Sequence, residues 1–212
     1  MAVRGRFFTF EGMDGSGKTT QLARLAAHLR DLGKTVLETA EPGGTAIGRK
    51  IRHILLDAAN QELCPTAELL LYFASRAQNV HEVILPARAR GEIVLADRFT
   101  DSSLVYQGCG RGLGVDTVLA LDRIACQDLV PDLTILVDID VETSLARARG
   151  RNASEPNAET RMDEQELEFH RKVHHAYHAL ALREPARIKV IDGRAGMDEV
   201  EQAVWNVVMD YV

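Results

Sequence analysis

Five short apolar runs punctuate the chain: Phe7–Phe10, Thr35–Leu37, Ile93–Ala96, Leu133–Val137 and Ile188–Ile191. Each is rich in Val, Ile, Leu or Phe and lacks the polar alternation of a strand with one wet face. Each therefore reads as a strand buried on both sides. Between them, apolar residues recur at helical spacing near 18–32, 45–58, 66–90, 115–128, 141–150, 163–184 and 197–210. Strands that alternate with helices predict an α/β fold, a doubly wound five-stranded parallel sheet flanked by helices. Ligands of such sheets bind beyond the carboxyl ends of the strands, so the residues following each strand are the ones to inspect. No repeat or linker divides the chain, and 1–212 is expected to form a single domain. One stretch of low hydrophobicity, Arg149 to Thr160, reads as a mobile surface segment within a short lid at about 147–162.

Directly behind the first apolar run stands Gly12-Met13-Asp14-Gly15-Ser16-Gly17-Lys18-Thr19, followed by Thr20 and a helical pattern at Leu22, Leu25, Ala26 and Leu29. Strand, glycine loop and helix in that order make a phosphate site of the P-loop NTPase type. The glycines let the backbone fold into a nest whose N–H groups converge on an anion, and the helix adds its positive end. Lys18 sits in a first helical turn, where a cation is unfavourable unless a phosphate compensates it. Thr19 offers a hydroxyl to a magnesium ion. ATP and Mg2+ are the expected partners of this loop.

The bulk numbers narrow the rest. A chain of 212 residues that is 46% hydrophobic can bury a large core. A net charge of −6 argues against a nucleic-acid-binding surface, so an anionic substrate must be held by local Lys and Arg. Three cysteines at irregular spacing, Cys64, Cys109 and Cys126, suggest neither a disulfide framework nor a metal site. The early glycine loop leaves no space for a secretory signal and no apolar run is long enough to span a membrane. A cytoplasmic protein that binds no membrane is expected.

After the second strand, Glu41-Pro42-Gly43-Gly44-Thr45 reads as a structural turn or a ligand contact, with Thr45 placed to cap a helix. The third strand delivers Asp97 and Arg98 to the crevice edge. Asp97 is a candidate for magnesium and Arg98 for a phosphate fork, while Asp138 competes with Asp97 for the metal. Phe73 and Arg76 share a helix face suited to stacking on a base and reading its edge, although a phenylalanine in such a Leu-rich helix is usually core. Asp101, Ser102, Ser103, Tyr106 and Gln107 supply polar groups near Arg98, where the glycines around them also suit structural turns. Arg147, Arg149, Arg151 and Arg161 flank the polar segment as a basic lid, or as a solvated helix end. His170, His174, His175 and His178 have helical spacing without an evident carboxylate or cysteine partner, and are expected to face solvent.

Taken together, these residues resemble the thymidylate kinases over essentially the whole chain. The motifs are Phe10-Glu11-Gly12 through Thr20, Glu41 to Thr45, Ile51-Arg52 with Leu55-Leu56, Glu68 to Gln78, Asp97-Arg98-Phe99, Val105 to Gly108, and Glu168-Phe169 with Tyr177. The resemblance implies transfer of the γ-phosphate of ATP to dTMP, giving dTDP and ADP on the way to dTTP. It implies that Phe73 stacks on thymine, that Arg76 and Ser103 read its edge, and that Tyr106, with Gln107 nearby, favours deoxyribose. Glu41, Pro42 and Ser102 would belong to the same substrate pocket. Asp14, Arg52 and Arg98 would engage the acceptor phosphate, and Lys18, Arg149 and Arg161 the transferring group. Thr19 and Asp97 would hold Mg2+, and a homodimer is implied. The alternatives are a kinase for another nucleoside monophosphate and a non-catalytic nucleotide switch.

Overall fold

The structure is a computed structural model that describes residues 4–152 and 160–212. Five parallel strands, β1 (Phe7–Glu11), β2 (Val36–Ala40), β3 (Ile93–Asp97), β4 (Leu133–Asp138) and β5 (Ile188–Asp192), lie in the order β2-β3-β1-β4-β5. β1 is central, pairing Phe7 with Val94 on one side and Phe8 with Leu133 on the other. All five expected strands exist, in the α/β arrangement that the pattern predicts.

Helices fill the crossovers: α1 (Lys18–Asp31), α2 (Ala46–Leu56), α3 (Pro65–Asn79), α4 (Leu85–Ala89), α5 (Thr100–Ser103), α6 (Val115–Cys126), α7 (Val141–Asn152), α8 (Leu167–Arg183) and α9 (Met197–Val208). Wide π-type turns at Val80–Ile84 and Leu104–Gly110 join α3 to α4 and extend α5. The expected helix at 66–90 is thus one path with a loosened turn just before Pro86, whose ring cannot continue regular helix bonding.

Successive strand residues point to opposite faces, and each face has its own core. Phe8, Phe10, Leu95, Leu133 and Ile135 pack against Leu22, Leu25 and Leu29 of α1 and Val200, Val204 and Val208 of α9. Phe7, Val94, Ala96 and Leu136 pack on the other side with Phe73, Val173 and Tyr177 of the helices there. Each large side chain buried in this way contributes about 1.5–3 kcal/mol.

Two expectations need correcting. β2 is a sheet edge whose residues are half-buried or exposed, and it extends through polar Glu38 and Thr39 to Ala40. Its backbone ladder with β3, rather than apolar content, defines it. Residues 100–110, outside the expected strands and helices, form a largely buried helical segment. Its buried face is polar because it is held by hydrogen bonds: Arg187 forks onto Asp101 at 2.7 and 2.9 Å, and Asp101 accepts from Thr134 at 3.1 Å.

Candidate active site

The glycine loop leaves β1 at Glu11 and enters α1 at Lys18. Gly12 has φ +134°, and a Cβ there would meet the Val137 carbonyl oxygen at 2.4 Å, so both the turn and the approach of β4 exclude a side chain. Gly17, at φ +93°, occupies the N-cap position, where no side chain closes the helix end. The N-terminal amides of α1 are left open to an anion. α7 leans on this loop: a Cβ on Gly15 would lie 3.0 Å from the Cβ of Arg147, and Ser144 donates to the Asp14 carbonyl at 2.5 Å. The expected lid therefore starts directly beside the phosphate nest.

A cleft of about 250 Å³ opens beyond the carboxyl ends of the strands. One wall holds Asp14, Lys18, Thr19, Asp97 and Arg98, and another holds Glu41, Pro42, Arg52, Tyr72 and Arg76. Ser102, Ser103, Tyr106, Gln107, Met162 and Asp163 complete it. Thirteen of the sequence-derived candidates are thus brought around one opening. They are Asp14, Lys18, Thr19, Glu41, Pro42, Arg52, Arg76, Asp97, Arg98, Ser102, Ser103, Tyr106 and Gln107, with Ala40 beside them ahead of the Glu41–Pro42 cis bond.

Arg98 is the hub. Its backbone is left-handed at φ +71°, a conformation that costs a non-glycine residue about 1–2 kcal/mol. Its N–H bonds the Phe10 carbonyl at 2.9 Å. The guanidinium reaches Ser102 Oγ at 2.9 Å, Tyr177 OH at 3.2 Å and Asp14 Oδ1 at 2.9 Å, and lies 5.1 Å from the centroid of the Tyr106 ring. Burial opposes the charge, but Asp14 and the two tyrosines outweigh it and hold the Arg98 pKa well above its ordinary value. Burial likewise raises the phenols of Tyr106 and Tyr177, so both remain donors. Asp97 does not pair with Arg98; it accepts from Thr19 Oγ1 at 2.5 Å.

Beneath Arg98 lies a carboxylate to which the sequence reading gave no role. Glu11 accepts from Phe99 N at 2.8 Å, Ser102 Oγ at 2.6 Å and Tyr177 OH at 2.8 Å. Burial, reinforced by Asp101, raises its pKa against the pull of Arg98. The signal was present: an ionisable residue closing an otherwise apolar central strand must face either a partner or a site.

Arg76 is buried beside its partner Glu41, which also accepts from Asn79 at 3.0 Å, and Arg76 Nη2 donates to the Phe99 carbonyl at 3.0 Å. Burial raises the Glu41 pKa even against Arg76. The Arg76 guanidinium lies 4.8 Å from the Phe73 centroid, so these two do share a face. Phe73 is only 4% exposed and belongs to the core cluster, while Tyr72 lines the cleft. Arg76 Nη1 and Ser103 Oγ are buried polar atoms with no hydrogen-bond partner. Thr45 caps α2 by accepting from Gly48 N at 2.9 Å, and Arg52 donates to the Pro42 carbonyl at 2.9 Å, so the 41–45 turn is both structural and part of the cleft.

The arginines expected in the lid separate. Arg147 and Arg149 are exposed on α7, whereas the Arg151 side chain lies outside the described residues. Arg161 is 1% exposed, donating to the Leu55 carbonyl and to Glu68 at 2.7 Å. Glu68 also takes Arg111 at 3.0 Å and Gln107 at 2.9 Å, and although burial opposes it, these donors lower its pKa. Arg161 is therefore a buried structural cation in this arrangement rather than a free one at the cleft mouth.

The histidines also depart from expectation. His170 is 3% exposed, not solvent-facing, because it lies on the apolar stripe with Phe169, Val173 and Tyr177. His174 and His178 have the carboxylate partner that linear spacing hid, Asp138 from the end of β4, at 3.0 and 3.2 Å. Asp97 lines the cleft, and Asp138 does not.

Comparison with known proteins agrees in kind. The family profile described as Thymidylate kinase matches residues 10–204. The chain is 53% identical over 202 residues to a thymidylate kinase of Pelobacter propionicus, covering 94% of this chain and 92% of that one. It is 50% identical over 209 residues to a thymidylate kinase of Geobacter sulfurreducens, covering 98% of both chains. It is also 50% identical over 204 residues to one from Thermomicrobium roseum, covering 96% of this chain and 94% of that one.

Proposed function

The chain belongs to the thymidylate kinase family, and from that premise we propose that its cleft transfers the γ-phosphoryl group of ATP to the 5′-phosphate of dTMP. The products are dTDP and ADP. The observation that carries the substrate assignment is the pair of unpartnered buried atoms, Arg76 Nη1 and Ser103 Oγ, in the wall of one cleft. A buried donor left unmade costs about 1–3 kcal/mol, and the polar edge of thymine would relieve both. Phe73 and Tyr72 would form the aromatic side of the base pocket, with Phe73 backing Arg76. Tyr106 and Gln107 would border the sugar, and Glu41 and Pro42 would fix Arg76 and Arg52.

The acceptor phosphate is already anionic, so the reaction needs little proton transfer. The obstacle is repulsion between two polyanions brought together in line. Lys18 and the amides of Gly12 through Thr20 would hold the donor phosphates, while Arg52 and Arg98 would hold the acceptor. Asp14, bonded to Arg98 and close to Lys18, would fix the spacing of these cations. Arg149 would add charge from the lid side, and Arg161 would anchor the segment through Glu68 instead of touching phosphate.

The Thr19 hydroxyl and Asp97 carboxylate, 2.5 Å apart at the cleft wall, are hard oxygen donors of the kind Mg2+ takes. They fit the ion, which when bound would neutralise phosphate charge. We further infer one domain spanning the chain and a homodimer formed through α2, α3 and α6. Exposed Ile54, Leu70 and Ile124 on those helices support the dimer, and sedimentation velocity tests it. All three cysteines are free, as suits a reducing compartment, and we infer a cytoplasmic setting; among the described residues no helix is long and apolar enough to cross a membrane.

A coupled ADP-release assay across dTMP, dUMP, AMP, CMP and GMP tests the assignment. Turnover fastest with dTMP is expected, and Lys18→Ala should lose about 3 kcal/mol of transition-state stabilisation or more. ATP binding without turnover on any monophosphate would instead make the chain a nucleotide switch.

A further inference from the structure

Outside the cleft, three side chains from two elements converge on one point. Asp138 closes β4, while His174 and His178 stand one turn apart on α8. His174 Nε2 lies 3.0 Å from Asp138 Oδ1, His178 Nε2 lies 3.2 Å from the same oxygen, and the two nitrogens are 3.3 Å apart. The group is half-exposed, so ions can reach it from solvent.

We propose that Asp138, His174 and His178 form a binding site for a zinc-class divalent transition metal. A tetrahedral ion with bonds of about 2.0–2.1 Å to nitrogen and oxygen sets its ligand atoms about 3.3–3.4 Å apart. The observed triangle of 3.0, 3.2 and 3.3 Å is within a few tenths of an ångström of that figure. Hydrogen bonding alone satisfies the triangle less well. If both imidazoles donate to the carboxylate oxygen, the 3.3 Å nitrogen–nitrogen contact joins two donors and is not a bond. If one imidazole donates to the other, its own contact with the carboxylate is lost. A single cation meets all three lone pairs.

The donor set selects the metal. Two imidazole nitrogens and one carboxylate suit Zn2+, Co2+ or Ni2+, whereas Mg2+ and Ca2+ prefer oxygen. Three protein ligands leave a fourth position for water. Arg194, just past the end of β5, interacts with the charge of Asp138 but is paired with Asp192 at 2.7 Å, which offsets its repulsion of a metal ion. Occupancy would tie β4 to the helix that carries Tyr177, the neighbour of Arg98 and Glu11.

The test uses tag-free full-length protein with Cys64→Ser and Cys109→Ser, which removes the exposed thiols as rival ligands. Titration with ZnCl2 is followed by calorimetry and by the rise in Tm, and Co2+ is followed by its visible d–d absorption. One equivalent of Zn2+, tetrahedral Co2+ bands and no comparable Mg2+ binding are expected. His178→Ala and Asp138→Asn should each weaken Zn2+ at least tenfold, while His175→Ala, exposed on the same helix, should not. Absence of stoichiometric binding, or affinity unchanged in His178→Ala, would overturn the site. If Asp138→Asn fails to fold, His174→Ala and His178→Ala decide the matter alone.

Discussion

Arg98 Nη2 donates to Asp14 Oδ1 at 2.9 Å, and Lys18 Nζ lies 3.4 Å from that same oxygen. A carboxylate so placed sets the distance between two cations that belong to different elements, one at the start of α1 and one just beyond β3. It also holds a guanidinium whose backbone is strained. A carboxylate in this position can act on the geometry of positive charge at the cleft.

From this follows a graded pair of effects. Asp14→Asn keeps the size of the side chain but replaces a charge-assisted bond, a loss of about 1.5–2 kcal/mol, and should lower kcat by about 10–30-fold. Arg98→Ala removes a preorganised donor and should lower kcat by about 10²–10³. Steady-state kinetics with saturating ATP distinguish them, and an Asp14→Asn enzyme with undiminished kcat would refute the spacing role.

Ser103 gives a cleaner test of the base pocket. Its hydroxyl has no partner to lose, so Ser103→Ala should leave Tm unchanged or slightly raised. If that hydroxyl meets thymine, KM for dTMP should rise about 3–10-fold, equivalent to about 0.7–1.4 kcal/mol, with KM for ATP unaffected. A matched rise in both constants would contradict the pocket.

The strands were legible because buried parallel strands leave continuous apolar runs, and the glycine loop because its chemistry needs a fixed spacing. Arg98, Asp97 and Arg76 were legible from their positions after a strand or on one helix face. The helical segment 100–110 was not, since Asp101, Ser102, Ser103 and Gln107 are polar residues buried through hydrogen bonds and show no apolar period. Asp138 was invisible as the partner of His174 because 36 residues separate them along the chain. Arg161 looked like a lid cation because sequence cannot reveal that Glu68 sits beside it. Contacts between distant segments, more than local pattern, account for each miss.

That last contact has a measurable cost. Glu68 faces Arg111 and Arg161 in a largely dry setting, so Glu68→Gln leaves buried guanidinium charge poorly compensated. A loss of about 3–5 kcal/mol of folding stability is expected. The Glu68 pKa is lowered in the fold, so its contribution is present above its unfolded value near 4.5 and fades as pH falls through the folded one. Urea unfolding should therefore show the wild-type advantage over Glu68→Gln shrinking below about pH 4.5. A constant difference across that range would mean that the charge of Glu68 is not what stabilises the cluster.

His170 should produce an acid sensitivity of the same sign in a higher window. It is buried with its Nε2 unpartnered, and burial, aided by Arg149 and opposed by Asp14, lowers its pKa below the ordinary 6.5. The unfolded chain then takes up a proton while the folded one stays neutral, so stability falls as pH drops from 6.5 towards the lowered value. His170→Leu keeps an apolar side chain on the stripe and removes that proton linkage. Urea titrations of both proteins at several values between pH 8 and 5 should show the wild type losing more stability on acidification than the variant. The remaining histidines and the raised carboxylates Glu11 and Glu41 are common to both proteins and cancel in the difference. Parallel curves would show that His170 titrates alike in the folded and unfolded chains, which its burial forbids.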